Sequence, residues 1–347
     1  MAGTRSSGTR VGTVSDGAPG DAEFGFELVT CRWAERAWPP DSDRETDAVP
    51  VVARQLGTRK RRWDTVVVEA DPAGLAARAA FGERTLDSDL LHVVRHAPAE
   101  WAWYRDALPD PGYPWRYVRA AVHRAADRGV AETRRAGNRI EIRQVAPYPD
   151  WVRRIVAVEN KPDLSASAAR RLGDQLEHDV TTALADEVWV ATAATGETVE
   201  PALLEDLPVE AGVLVMAFDG DDPEARVAWH PSALDPSADT SLSAAEKATT
   251  RLELAERAYG SGWRSYVETM RPDCRWFELR STSGAFVPWC AAMECHQTAG
   301  ACAGDCPEFQ PEPPSWRTRG WPIEGGPGKG IQRLLARRRR RIREPEE

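Results

Sequence analysis

Lysine is almost missing from this chain. Of 45 basic residues only four are lysines (Lys60, Lys161, Lys247, Lys329), and 54 acidic residues leave a formal charge of −9. Each lysine is therefore informative, because arginine has taken nearly every place where any positive charge would serve. Long apolar runs are missing too. No stretch approaches the roughly 20 residues that cross a bilayer, and no charged, apolar and small-residue succession marks a secretion signal. A cytoplasmic protein without a membrane partner is expected. Two apparent motifs lack what would complete them. GGPGKG (325–330) has neither the G-x-x-x-x-G-K-[ST] spacing nor a preceding apolar strand, which excludes a phosphate loop. DGDD (219–222) lacks the remaining calcium ligands and reads as a hairpin turn.

What is present centres on Trp151 to Thr192. The order there is a strand (152–161), a turn, an amphipathic helix (165–184) with Ala168, Leu172 and Leu176 at periodic positions, and a second strand (187–191). Ile155 to Val158 form an apolar run that ends in Glu159 and Lys161, which share one strand face while Asn160 takes the other. Upstream, the sequence predicts a helix from Phe24 with Glu27 and Glu35 on it. A strand (51–56), a basic turn (Arg59, Lys60, Arg61, Arg62) and a strand (63–70) opened by Asp64 follow. Later strands are expected at 212–218 and 224–230.

Glu-x-Lys ending an apolar strand, followed by helix and strand, resembles the PD-(D/E)xK nuclease superfamily. The resemblance implies an α/β fold, a restriction-endonuclease-like mixed sheet flanked by helices. It implies a metal-dependent nuclease that hydrolyses phosphodiester bonds in DNA in repair, recombination or defence. Asp64 and Glu159 would bind Mg2+ or Mn2+, Lys161 would hold the attacking water, Glu27 would complete the shell and Gln175 would face the site as in RecB-like relatives. Asp179 stands where those relatives carry tyrosine. Asp150 matches the motif's letters, but nine extended residues place it about 30 Å from Glu159, so Asp64 is preferred. The alternative is a non-catalytic DNA-binding protein with a degenerate core and a zinc module. A structural or adaptor protein is the third reading.

The acid-rich, lysine-poor composition is similar to proteins of halophilic archaea, and the whole chain resembles a family from those organisms that carries no known activity. At about 1 M salt the Debye length is about 3 Å, so nucleic-acid affinity would rest on close contacts.

The resulting domain division is a disordered leader (1–22), a nuclease-like core (23–71 and 149–232), an insertion (72–148), a helix with a cysteine-rich metal-binding module (243–324) and a basic tail (325–347). The insertion resembles a winged helix: a helix at 115–128, a stop at Gly129 and a hairpin turning at Ala136, Gly137 and Asn138. Arg61, Arg62 and the wing residues Arg134, Arg135, Arg139 and Arg143 are candidate nucleic-acid contacts or a solvated face. Five cysteines in the third module follow the spacing C-x15-C-x4-C-x6-C-x3-C. Cys274, Cys290, Cys302 and Cys306 are the expected ligands of a structural Zn2+, with an iron–sulfur cluster as the alternative and Cys295 spare. Cys31 is expected to be buried packing. The oligomeric state stays open, a homodimer included.

Overall fold

A computed structural model describes residues 19–40, 46–110, 112–164, 166–193, 206–217, 223–264, 271–282, 285–297, 302 and 306–312. Most of the leader, the DGDD turn and the arginine-rich tail lie outside them. The first helix, α1 (Pro19–Ala37), begins five residues before Phe24. Two strands follow, β1 (Val49–Gly57) and β2 (Arg62–Ala70), joined by a turn that only glycine permits at its first position. A Cβ on Gly57 would sit 2.2 Å from the Arg61 carbonyl oxygen.

The insertion comes next. Asp71 caps α2 (Pro72–Arg78) by accepting from the Gly74 amide, with proline at the first helical position. Then come α3 (Ser88–His96), β3 (Ala102–Trp103), α4 (Tyr104–Ala107), α5 (Trp115–Asp127), β4 (Ala131–Ala136) and β5 (Arg139–Gln144). The three strands form their own sheet in the order β3-β5-β4. Leu90, Val94, Val118, Val122 and Ile142 make a hydrophobic core separate from the main one.

The main sheet resumes with β6 (Val152–Asn160), α6 (Ala166–Thr182), β7 (Glu187–Ala193), β8 (Gly212–Ala217) and β9 (Glu224–Trp229). Its six strands run in the order β1-β2-β6-β7-β8-β9. β2 runs antiparallel to both of its neighbours, β1 and β6; β7 lies parallel to β6 and β8 parallel to β7; β9 returns antiparallel. The parallel step from β6 to β7 needs a crossover, and α6 supplies it. Val66 to Val68 and Ile155 to Val158 are almost wholly buried, as central strands covered on both faces must be.

A capping box of Ser243 and Glu246 starts α7 (Ala244–Ser261). Its Leu254, Ala255, Ala258 and Tyr259 belong to the main core, which Leu279 of the cysteine segment also joins. Glu256 of α7 accepts from the fully buried Arg78 guanidinium, from the Leu86 amide and from the Tyr148 hydroxyl. The network fastens the insertion to the sheet domain. The cysteine segment holds a small antiparallel sheet that sequence reading left unassigned: β10 (Phe277–Thr282), β11 (Ala285–Cys290) and β12 (Cys295–His296). Among the described residues no helix is long and apolar enough to cross a membrane.

Candidate active site

The site forms where β2 begins and β6 ends. The last ladder pair between them is Thr65 opposite Val158, and one further step of the same register puts Asp64 opposite Glu159. Instead of a backbone ladder bond, the Asn160 amide donates to Asp64 Oδ2 at 2.9 Å. Asn160 Nδ2 donates to Thr65 Oγ1 on one face of the sheet, where Cys31 Sγ lies 3.3 Å from the same hydroxyl. Asp64 and Glu159, each adjacent in sequence to one of that pair, share the opposite face.

Three other elements add charged and polar groups. From α1, buried Glu27 accepts from Arg54 Nε at 2.9 Å and from Gln55 Nε2 at 2.9 Å. Gln55 Nε2 also donates to Asp64 Oδ1 at 3.1 Å, so one amide ties Glu27 to Asp64. Gln55 does this from a backbone φ of 51°, a left-handed conformation that a side chain other than glycine rarely takes. Arg61, in the β1–β2 turn, reaches inward: Nη2 donates to Glu159 Oε1 at 2.7 Å and to Asp179 Oδ2 at 2.8 Å. Asp179 lies on α6, buried among these groups.

Four carboxylates thus share the site with two arginines. Burial, the nearby Asp64 charge and that of Asp179 push the Glu159 carboxyl up to about 7, against the opposing pull of Arg61. Burial likewise raises Glu27 and Asp179 above the ordinary carboxylate range, each partly offset by its arginine. Lys161 stands at the rim, with Nζ 3.0 Å from Glu23 Oε1, one helical turn before Glu27 on α1.

Of the residues expected here, Asp64, Glu159 and Glu27 come together and Lys161 lies beside them. Gln175 does not join: it is exposed on α6, and Asp179, one turn further on, takes the inward position. Glu35 is buried elsewhere, paired with Arg264. Arg61 is turned into the site rather than outward, whereas Arg62 is exposed. Arg134 and Arg143 on the β4–β5 hairpin are paired with Glu141 and Glu132, and Arg139 stacks on the Trp103 ring. Arg135 is exposed there. Gln55 and Asp179 were not anticipated as site residues, and Arg61 was expected as a nucleic-acid contact rather than as a partner of Glu159 and Asp179. Only Asp179 carried a signal, being four residues beyond Gln175 on the same helix face.

All-oxygen donors suit a hard divalent cation, and the mutual repulsion recorded in the raised Glu159 carboxyl is what such a cation relieves. The side chains are nonetheless engaged by Arg61 and Gln55. Among the described residues no three His, Cys, Asp or Glu side chains are grouped as ligands of one ion.

Residues 51–311 match the family described as a family of unknown function (DUF5787). No curated protein and no solved structure matches the chain.

Proposed function

Starting from a chain that belongs to this family of unknown function, we propose a metal-dependent deoxyribonuclease of the PD-(D/E)xK type. The observation that carries the reading is the juxtaposition of Asp64 and Glu159 across β2 and β6, with Lys161 two residues further on. The chain order supports it: α1, β1, β2 and β6 precede the crossover helix α6 and parallel β7, once the insertion is set aside. The insertion's order of helix, short strand, two helices and a two-stranded hairpin is similarly that of a winged helix.

In this reading Asp64 and Glu159 hold Mg2+ or Mn2+ and Glu27, through Gln55, holds Asp64 in place. The ion, when bound, lowers the pKa of a coordinated water and offsets charge on the phosphate. Lys161 positions the attacking water and stabilises the developing negative charge. Its pairing with Glu23 is exposed and worth at most about 1 kcal/mol, so the ammonium is readily released to do so. Arg61 favours the ionised form of Glu159.

A second reading, a DNA-binding protein with a degenerate core, draws on one observation: Arg61 already pairs with both Glu159 and Asp179. Cleavage of labelled single-stranded, duplex and branched DNA with Mg2+, Mn2+ or chelator separates the two. The nuclease reading expects metal-dependent scission abolished by Glu159→Gln and by Lys161→Ala, with circular dichroism unchanged. Mutants as active as wild type, or DNA binding without scission on any substrate, would sink it.

A further inference from the structure

The cysteine segment encloses a cavity of about 120 Å³ whose wall includes Cys274, Cys290, Cys302 and Cys306, set among Trp276, Trp289 and other largely apolar groups. Cys302 lies within electrostatic reach of Cys274, Cys290 and Cys306, and Cys274 within reach of Cys290. Four residues spread over 33 positions of chain, on the loop before β10, the end of β11 and the segment after β12, are gathered round one space. A set of buried structural thiols has no reason to share a void, since each would pack against carbon.

Polar groups at the cavity favour sulfur in its anionic form. The Arg271 backbone amide donates to Cys302 Sγ at 3.2 Å. Such a bond holds a thiolate better than a thiol. The indole Nε1 atoms of Trp276 and Trp289, both cavity residues, are buried without an acceptor among the described residues. Indole N–H groups beside an anionic sulfur centre would have one.

We propose that Cys274, Cys290, Cys302 and Cys306 form a tetrathiolate metal centre that takes zinc or an iron–sulfur cluster. Binding of Zn2+, or transfer of a preassembled cluster, replaces four S–H bonds by four metal–sulfur bonds, releases the four protons to solvent and changes no oxidation state. The sulfurs line a wall rather than meet at a point, so binding draws them inward. Cys295 also lines the cavity, but it is exposed and receives the Gln297 side-chain amide at 3.6 Å, so it is left outside the set.

The test uses the full chain, purified without chelator and in parallel under anaerobic conditions, with metal and sulfide content and absorbance measured. Stoichiometric zinc in a colourless protein, or iron and sulfide in a brown one with charge-transfer absorbance, supports the centre and identifies the metal. Cys274→Ser and Cys302→Ser should lose the metal while Cys295→Ser keeps it. Because loss of a ligand can unfold the first two variants, thiol titration of the wild type supplies an independent readout. Beyond the exposed Cys295, four further thiols should become reactive when a strong chelator strips the metal, and none of those four when it is withheld. No stoichiometric metal after either purification and after reconstitution with Zn2+ or with Fe2+ and sulfide, or metal retained in Cys302→Ser, overturns the proposal. None of these outcomes depends on nuclease activity.

Discussion

Glu159 carries two opposed demands: its backbone must complete β6, yet its carboxyl must stay charged beside Asp64 and Asp179. The structure meets them with Arg61, and a pH dependence follows. The folded carboxyl is raised from an ordinary 4.5 to about 7. The folded protein therefore binds more protons than the unfolded chain between those values, and the stability contributed by this group is present below about pH 4.5 and lost as pH rises through about 7. Thermal melts of metal-free protein should show this decline, and Glu159→Gln should flatten it. If the proposed nuclease reading holds, cleavage should move the other way, rising with pH through the same window as the carboxylate becomes available to metal. Arg61→Ala removes the charge that favours ionisation, so the rising limb should shift to higher pH. An Arg61→Ala enzyme that is faster at every pH would show instead that Arg61 blocks the site. The pairing of Asp64 with Glu159 was legible in the sequence because strand alternation and an apolar run fix a face. The inward turn of Arg61 was not, because a basic turn reads as solvent-exposed until the partner acids on β6 and α6 are known to converge on it.

Among elements, the β1–β2 turn is the tightest constraint on the site. Gly57→Ala would force a methyl group against the Arg61 carbonyl, costing roughly 1–3 kcal/mol and displacing Arg61 from Glu159. Calorimetry and the pH profile of cleavage should register the change together. The insertion offers a contrast between its hairpin and its longest helix. Arg134 and Arg143 are spent on Glu141 and Glu132, whereas α5 presents Arg116, Arg119 and His123 on its exposed side. If the insertion grips DNA, Arg119→Ala and Arg135→Ala should weaken binding and each reduce the salt dependence by about one phosphate contact, with Arg134→Ala having the smaller effect. Fluorescence anisotropy against salt concentration measures both. Periodicity and turn residues gave most of these elements: α5, the stop at Gly129 and the Gly137–Asn138 hairpin lie where the sequence puts them. β10, β11 and β12 were illegible because short strands with serine, threonine and proline at their pairing positions carry little alternation. Gln175 was misplaced for a different reason. A helix face spans several residues, and which of two positions a turn apart points inward depends on how α6 docks on the sheet.

For the whole molecule, the buried pairing of Arg78 with Glu256 is decisive. Glu256→Ala would leave the guanidinium uncompensated inside the protein and should cost about 3–5 kcal/mol, measurable by denaturant unfolding. Glu256→Gln keeps acceptor oxygen and shape and should lose less. The network also has a geometric consequence. Because Arg78, Leu86 and Tyr148 of the insertion all close on one carboxylate of α7, the span from the α5 surface to Glu159 is set by covalent structure and packing rather than by a flexible tether. A span of that kind is a ruler. Any duplex gripped at α5 would be cut at a constant offset, giving a sharp fragment length on an end-labelled substrate, and loosening the clasp would blur that length before it abolished the cut.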